Sequence, residues 1–576
     1  MPNWRWFSVF TVLILVLAAC GDAGTSASAP DESDDPPASG SDASEPPASD
    51  GGTSGEPQTG GTLVFGAAGE ISSLDPSLTS DGESFRLLQQ VYEPLVDLVP
   101  GTVDELEGVL AESWTGEPDG TEYVFTLKEG VAFHDGEPFN AEAVKINFDR
   151  WQNFATEFHD GAYYYDAVMG GFGAENNIES VEATGDLEVT ITLKEPSPTF
   201  LYGIALTPFS IVSPAALEAT NADDPAASTF GTEVVQAGTG PFVLDEWISQ
   251  DSATLSRNDE YHGEHTAYLD RLIIRPIPDP AARLQALEGG SLQGFDLINP
   301  TDRPAVDGVE GFQLINRESY NTFYLGINPT ATEDSPLQEQ AVRQAVAHAI
   351  DRDALIEAFY GGGGSAADFF LPPTSGWFDS VGADVPTYEF DPDGARELLE
   401  GAGFGEDNPP TVNFWFPTEV TRPYMPDPSG LHQAITTMLE DVGFVVEAGS
   451  AIWGTEYLPA SAASSYDMFF LGWTGDYDDP SNWYGVHFGF SQGEAPGRFS
   501  CEAEGLEEAE AAADAVLEEG ARGEAWNEVA KIVHEEVCFV TLVHGDTGVA
   551  LTDAVQGYVA NPTGSESFLD IWLSGE

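Results

Sequence analysis

Alternating apolar and polar positions predict short strands in the first half of the chain. The stretches 122–127 and 189–193 carry an apolar residue at every second position, which is the period of a half-buried strand. The stretch 62–65, TLVF, predicts another strand, and Val131 and Phe133 continue the alternation after a turn. Such patterns favour antiparallel pairing.

Apolar residues with helical spacing lie between these strands. Val144, Phe148 and Trp151 fall on one face, and Asn140 precedes them as a capping residue. The same spacing, with Pro near the start or Gly near the end, predicts further helices at 280–288, 336–350, 351–360 and 392–401. Strands and helices mixed over about 515 residues predict an α/β protein with more than one lobe.

The first 60 residues differ from this pattern. Residues 1–19 carry one Arg and then an apolar stretch that suits a signal peptide and is too short to span a bilayer. Leu17-Ala18-Ala19-Cys20 resembles the lipobox of bacterial lipoproteins, in which the cysteine becomes the lipid-bearing N-terminus; the alternative is a cysteine placed there by chance. Residues 20–60, rich in Ser, Gly, Pro and acids, predict a disordered tether. We therefore expect a folded body held at the extracytoplasmic face of a bacterial membrane.

The charge of the chain excludes some partners. There are 19 Lys and Arg against 98 Asp and Glu, so the formal charge is −79. Nucleic-acid binding and polybasic membrane binding both need a basic face, which this composition cannot supply. An excess of acids with so few bases is typical of adaptation to salt, where ions screen the self-repulsion.

Motifs for catalysis, nucleotides or metals are not found. The sequence has no HExxH, no G-x-S-x-G and no P-loop, so we expect neither an enzyme nor a cofactor. His262 and His265 are spaced like metal ligands but lie in a polar stretch that favours a solvated loop. Asp476, Asp478 and Asp479 lack the Gly and distal Glu of a calcium loop.

Two loops that follow predicted strands carry candidate binding residues. The apolar run 468–471 predicts a buried strand, and Asp476 follows it after a turn. Residues 413–416 predict another strand, after which comes Arg422, one of only 15 arginines. An acid at the carboxyl end of a buried strand is a common ligand position in open α/β sheets. Each residue also has an ordinary structural explanation, a surface ion pair for Arg422 and a turn for Asp476.

The remaining cysteines leave two possibilities open. If Cys20 is lipidated, Cys501 and Cys538 can form a disulfide in an oxidising compartment. Two separate buried thiols are the alternative.

Several motifs resemble one known family. They are residues 110–114 (LAESW), 123–136 (YVFTLKEGVAFHDG), 237–242 (AGTGPF), 342–345 (VRQA), 349–352 (AIDR), 422–424 (RPY) and 472–476 (GWTGD). In this order they resemble the large solute-binding proteins of ABC importers for peptides and nickel, and in particular the dipeptide-binding proteins.

The resemblance implies a two-lobed periplasmic-binding-protein-like fold with an extra subdomain in the first lobe. The expected parts of lobe I are 61–96, 240–318 and 543–576, with the inserted subdomain at 97–239. Lobe II is expected at 319–542. Ligand is enclosed between such lobes by hinge closure and is then presented to a permease that works with ATPase subunits.

The resemblance also implies roles for four residues. Arg422 is expected to pair with the carboxylate of a peptide and Asp476 with its ammonium, which fits a two-pronged donor and an acceptor. Tyr424 and Trp473 either line the site or are ordinary core aromatics. Phe470 stands where oligopeptide binders carry a base, which favours dipeptides. The acidity of the chain favours cationic peptides.

Other functions stay open at this point. The same fold also binds oligopeptides, nickel complexes and oligosaccharides. A secreted hydrolase is the alternative from a different class.

Overall fold

The computed structural model describes residues 56–117, 119–488 and 503–575. The predicted signal peptide, Cys20, most of the tether and Cys501 therefore lie outside the described residues.

A seven-stranded mixed sheet contains segments that are far apart in sequence. From edge to edge its strands are Phe312–Arg317, Thr547–Thr552, Gly294–Asp296, Thr62–Ala67, Arg271–Pro276, Ser252–Arg257 and Phe242–Ile248. The central strand Thr62–Ala67 runs parallel to both of its neighbours, and its side chains Leu63 and Phe65 are fully buried. In the neighbouring strand Arg271–Pro276 the alternate residues Leu272 and Ile274 are also fully buried, so one face of these strands packs into the core.

A six-stranded sheet contains most of the remaining long strands. Its order is Ser365–Ala366, Phe539–His544, Asn321–Ile327, Met468–Thr474, Thr411–Thr418 and Val445–Ile452. Thr411–Thr418 is parallel to both neighbours, whereas Asn321–Ile327 is antiparallel to both of its own.

The segment between Val96 and Phe242 adds a smaller sheet. Four antiparallel strands occur there in the order Ala111–Gly116, Glu122–Leu127, Glu188–Leu193 and Ile178–Gly185. Val96–Leu98 also pairs with Leu106–Gly108 in this segment.

A separate two-stranded ladder near the C-terminal end pairs Val555–Gln556 with Trp572–Leu573.

Fifteen α-helices pack around these sheets in the described residues. They are Gly82–Leu88, Ala141–Gln152, Tyr163–Met169, Phe200–Ile204, Pro214–Ala219, Pro280–Glu288, Gln340–Ala349, Arg352–Phe359, Phe378–Val381, Pro392–Gly401, Pro428–Val442, Leu458–Ala462, Tyr484–Phe488, Leu506–Asp514 and Glu519–Glu535. None of them combines the length and the apolar character needed to cross a bilayer.

Local capping explains where many helices begin. Asn140 accepts a hydrogen bond from the backbone N–H of Ala143 at 3.0 Å, which satisfies a donor that the helix itself cannot. Asp279 and Asp391 cap their helices in the same way, each followed by Pro. These three predicted helix starts are confirmed.

One predicted strand is wrong. Val131 and Phe133 are buried as the alternation implies, but the segment forms only an isolated bridge, between Ala132 and Pro138. Phe139 donates back to the carbonyl of Val131 at 3.0 Å, so the chain folds onto itself in a tight loop. Burial of alternate residues therefore does not require a ladder partner.

Two short segments connect the seven-stranded and six-stranded sheets. One lies between Arg317 and Asn321, and the other between His544 and Thr547. Asn321 joins them: its Nδ2 donates to the carbonyl of Gly545 at 2.9 Å, and its Oδ1 accepts from the N–H of Gly545 at 3.2 Å. A single buried amide thus fixes the spacing of both connections.

Five charged side chains form a buried ionic network at the edge of the seven-stranded sheet. Arg86 and Arg317 pair with Asp296 at 2.6 and 3.0 Å, and both also contact Glu566. Glu83 completes the network through Arg86. Each of the five residues is at most 9% exposed.

The arginines also fix the ionisation of Asp296. Burial alone raises the pKa of that carboxyl, but Arg317 and Arg86 outweigh burial and lower the pKa to about 2. Because folding lowers the pKa of Asp296, the ionised carboxylate stabilises the folded protein. This stabilisation is complete when the pH is above about 4, the ordinary pKa of an aspartate. It is lost as the pH falls from about 4 toward 2.

Substitution Arg317→Met is expected to lower the free energy of unfolding by about 3–5 kcal/mol, because it leaves buried carboxylates without one of their cations. Urea denaturation at neutral pH measures this loss. Arg396→Met is the matched control, since Arg396 forms an exposed pair with Asp393 that is worth less than about 1 kcal/mol. Equal losses in the two variants would contradict a stabilising network.

Candidate functional site

Two neighbouring parallel strands deliver the predicted site residues to one edge of the six-stranded sheet. Thr411–Thr418 and Met468–Thr474 pair through Phe414 and Trp415, opposite Met468 and Phe469. Because parallel strands end at the same edge, the loops that carry Arg422 and Asp476 leave the sheet side by side.

The second of these strands is longer than its apolar run predicts. It continues to Thr474 because Asn321, Thr322 and Phe323 pair with Thr474, Trp473 and Gly472. Asp476 is therefore only two residues beyond the end of a paired strand. This restricts the positions that its carboxylate can take.

Tyr424 packs against this strand and is 6% exposed. A Cβ atom added to Gly472 would lie 2.3 Å from Cδ2 of the Tyr424 ring, so the ring needs a glycine at this position. Its backbone carbonyl accepts a hydrogen bond from the hydroxyl of Tyr360 at 2.6 Å. Tyr424 thus joins the bases of the two loops and belongs to the core.

Asp476 is held by neutral donors. Tyr164 donates to Oδ1 at 3.1 Å and Asn482 donates to Oδ2 at 3.0 Å. Burial raises the pKa of Asp476 to about 6, although these two hydrogen bonds limit the rise. No cation pairs with this carboxylate among the described residues.

Trp473 acts on Asp476 through Asn482. Its indole N–H donates to Oδ1 of Asn482 at 3.2 Å, and the same oxygen accepts from the backbone N–H of Asp476 at 2.8 Å. Trp473 is half-buried and packs edge to face on His487. Its contacts make it a support for the loop.

The other two acids of this loop have structural partners. Asp479 forms a bidentate ion pair with Arg522 at 2.7 and 2.8 Å. Asp478 accepts from Tyr320, Ser375 and Gly376. Of the three acids, Asp476 alone has neither a cation nor three hydrogen-bond donors among the described residues.

Arg422 is half-buried and forms no ion pair among the described residues, so a surface ion pair does not explain it. Its guanidinium carbon lies 4.8 Å from the centre of the Trp453 ring, a cation–π contact. Its Nε atom is buried without an acceptor. Trp453 begins a short π-helix, Trp453–Tyr457, a feature that is frequent at functional sites.

A cleft of about 660 Å³, its mouth included, opens beside Asp476. Its walls include Arg86, Asp97, Tyr164, Pro208, Asp476 and Thr563. Arg422, Tyr424 and Trp473 do not line it, so of the four predicted residues the cleft contains Asp476.

The Asp476 loop also contacts the smaller-sheet segment across the cleft. The N–H of Asp478 donates to the carbonyl of Val103 at 2.9 Å, and the rings of Tyr477 and Tyr202 stack with centres 5.6 Å apart. Together with the hydrogen bond from Tyr164, these contacts hold the Asp476 loop against that segment.

Three residues at this site were not predicted. Tyr164 lies 312 positions from Asp476, and no local pattern indicates such a contact. Asn482 follows in an ordinary polar turn. Asp97 did carry a signal, because it interrupts the apolar stretch Leu95-Val96-Asp97-Leu98-Val99.

Two other predictions concern residues away from the cleft. His262 is not solvated as predicted, because its Nε2 lies 2.7 Å from a buried oxygen of Glu93. No cluster suited to a metal ion occurs in the described parts of the chain. Cys538 is disulfide-bonded and 1% exposed, while its pairing with Cys501 stays a prediction because Cys501 lies outside the described residues.

Comparison with known proteins gives one family. The family model for bacterial extracellular solute-binding proteins, family 5 Middle, matches residues 105–494, more than half of the chain. A dipeptide-binding protein of Escherichia coli (strain K12) is 28% identical over 522 residues, which cover 88% of this chain and 94% of the relative. Heme-binding protein A of Haemophilus influenzae is 29% identical over 534 residues, covering 89% and 93%.

Solved structures agree with these relatives. The periplasmic binding protein DppA of Helicobacter pylori, in complex with the peptide STSA, superposes with a TM-score of 0.77 at 25% identity. The match covers 90% of this chain and 99% of that protein. These similar proteins are substrate-binding transport proteins and not enzymes. The chain belongs to family 5 of the bacterial extracellular solute-binding proteins, which serve ABC transporters.

Proposed function

We propose that this protein is a lipid-anchored extracytoplasmic receptor that captures dipeptides or short peptides between two lobes and delivers them to an ABC permease for import. The observation that carries the proposal is Asp476, a desolvated carboxylate without a cation on the wall of a cleft. A peptide ammonium supplies the missing charge. The dipeptide-binding relatives and the peptide bound to the Helicobacter pylori protein support this ligand class.

Arg422 is proposed to bind the other end of the peptide. Its guanidinium has an aromatic support on one face and no carboxylate partner among the described residues. Arginine presents paired donors that match a carboxylate, and holding both ends of a peptide selects its length. Since Arg422 does not line the cleft beside Asp476, the peptide extends from that cleft toward the neighbouring loop.

The proposed lobes follow the two large sheets. Lobe I comprises 61–96, 240–318 and 543–576 with 97–239 inserted, and lobe II comprises 319–542. The cleft supports this division, because Arg86 and Thr563 come from the first part, Tyr164 from the insert and Asp476 from the second. Ligand at this position touches all three.

Dialanine is expected to bind and trialanine to bind much more weakly, because a third residue breaks one of the two terminal pairs. Arg422→Ala and Asp476→Asn should each weaken dialanine binding by about 2–5 kcal/mol. Isothermal titration calorimetry on the full chain measures all of these affinities.

Arg396→Ala and Asp393→Asn serve as controls, because they alter an exposed ion pair on the helix Pro392–Gly401. Tight binding of trialanine or of a nickel chelate, with no signal from dialanine, would contradict the two-ended site. Full affinity in both site variants would show that these residues are not the contacts.

The affinity for dialanine should fall about tenfold from pH 7.5 to pH 5, because Asp476 has a pKa of about 6 in the unliganded protein. Protonation removes the charge that attracts the ammonium, while the termini of the peptide keep their charges over this range. Titration at several pH values tests this. In Asp476→Asn the fall should shrink, and a fall of unchanged size would assign the pH dependence to another group.

The proposed anchor rests on Cys20. Cys20→Ser should move the protein from the membrane fraction to the soluble fraction, because the lipid chains supply about 0.8 kcal/mol for each buried CH₂. Fractionation of cells that express each form measures the change. Unchanged membrane association in Cys20→Ser would contradict lipid anchoring.

A further inference from the structure

The cleft beside Asp476 has an excess of negative charge. Among the described residues, the charged ones on its wall are Arg86, Asp97 and Asp476. Arg86 is already committed to the buried ionic network through Glu83, Asp296 and Glu566. Neither Asp97 nor Asp476 forms an ion pair among the described residues, so two carboxylates face the cleft without a counter-charge.

Asp97 is a second half-buried carboxylate on the wall of this cleft. Its only hydrogen bond in the described residues is the one that its Oδ1 accepts from the N–H of Leu98, at 2.7 Å. Burial raises its pKa to about 7, and the charged neighbours that act on it, Glu107 and Glu93, are themselves acidic. Nothing in the surrounding protein therefore compensates its charge.

The rest of the wall suits an aliphatic chain. Phe85, Leu98, Leu206 and Pro208 contribute apolar surface to the same cleft. Lysine and arginine side chains bury an apolar stem along such surface and present a charged head at the end. A half-buried carboxylate without a cationic partner loses part of its hydration, and a cationic ligand that reaches it offsets this loss.

The position of the cationic side chain in the peptide follows from the two proposed terminal contacts. Asp476 lines the cleft and is assigned to the ammonium of the first residue, whereas Arg422 lies outside the cleft. The side chain that shares the cavity with Asp476 is therefore that of the first residue.

We propose that Asp97 is a specificity-determining residue and that the preferred ligands are dipeptides with a basic first residue, whose side-chain cation pairs with Asp97 while the ammonium pairs with Asp476. The inference rests on the proposed function and adds the substrate class to it.

Four dipeptides test this by calorimetry on the full chain at pH 8. Lys-Ala and norleucine-Ala share an aliphatic stem but differ in the terminal ammonium, and Ala-Lys and Ala-norleucine form the same pair at the second position. Lys-Ala should bind at least tenfold more tightly than norleucine-Ala, with less than a threefold difference in the second pair. In Asp97→Asn the first ratio should fall below threefold.

Glu105→Gln is the matched control, because it removes one negative charge from an exposed position near the strand Leu106–Gly108. It should keep the tenfold preference. Equal binding of Lys-Ala and norleucine-Ala, a preference that survives in Asp97→Asn, or a preference confined to the second position would overturn the proposal. Failure of all four dipeptides to bind would instead refute the proposed function, so the two failures are distinct.

Discussion

The buried ionic network is the constraint on which the cleft depends. Arg86 and Arg317 hold Asp296 and Glu566 in a region from which water is excluded, and such charges are tolerated only when every partner is present. The network joins the helix Gly82–Leu88, two strands of the seven-stranded sheet and the C-terminal segment. Arg86 also lines the cleft, so the wall that a ligand meets is the outer side of this network.

The same constraint explains how a chain with so many acids can still present a selective carboxylate. Arg522 neutralises Asp479, and hydrogen-bond donors surround Asp478. Asp476 receives only two neutral donors, Tyr164 and Asn482. The proposed binding group thus differs from the two neighbouring acids in its partners within the fold, and not in its residue type.

Local patterns predicted the elements whose causes are local. The strand Glu122–Leu127 follows from alternation, and the caps at Asn140 and Asp391 follow from side chains that bond the next turn. Arg422 and Asp476 became candidates because each follows a predicted strand, and the resemblance to a known family then implied their roles.

Features with distant causes could not be predicted in this way. The strand Met468–Thr474 extends beyond its apolar run because it pairs with Asn321, about 150 residues away. The hydrogen bond between Tyr164 and Asp476 also has a distant cause, because the residues next to each of them in the sequence give no indication of the other. Arg422 lies outside the cleft for a related reason: a shared sheet edge places two loops side by side without fixing which of them faces the cavity.

The amide of Asn321 has a mechanical consequence. Because its side chain bonds both the N–H and the carbonyl of Gly545, the two connections between the large sheets behave as one double ribbon. A ribbon of this kind yields readily to bending and twisting, but sliding one strand past the other breaks both bonds at once. Bending or twisting at the two connections is therefore the relative motion of the two sheets that keeps both of these hydrogen bonds.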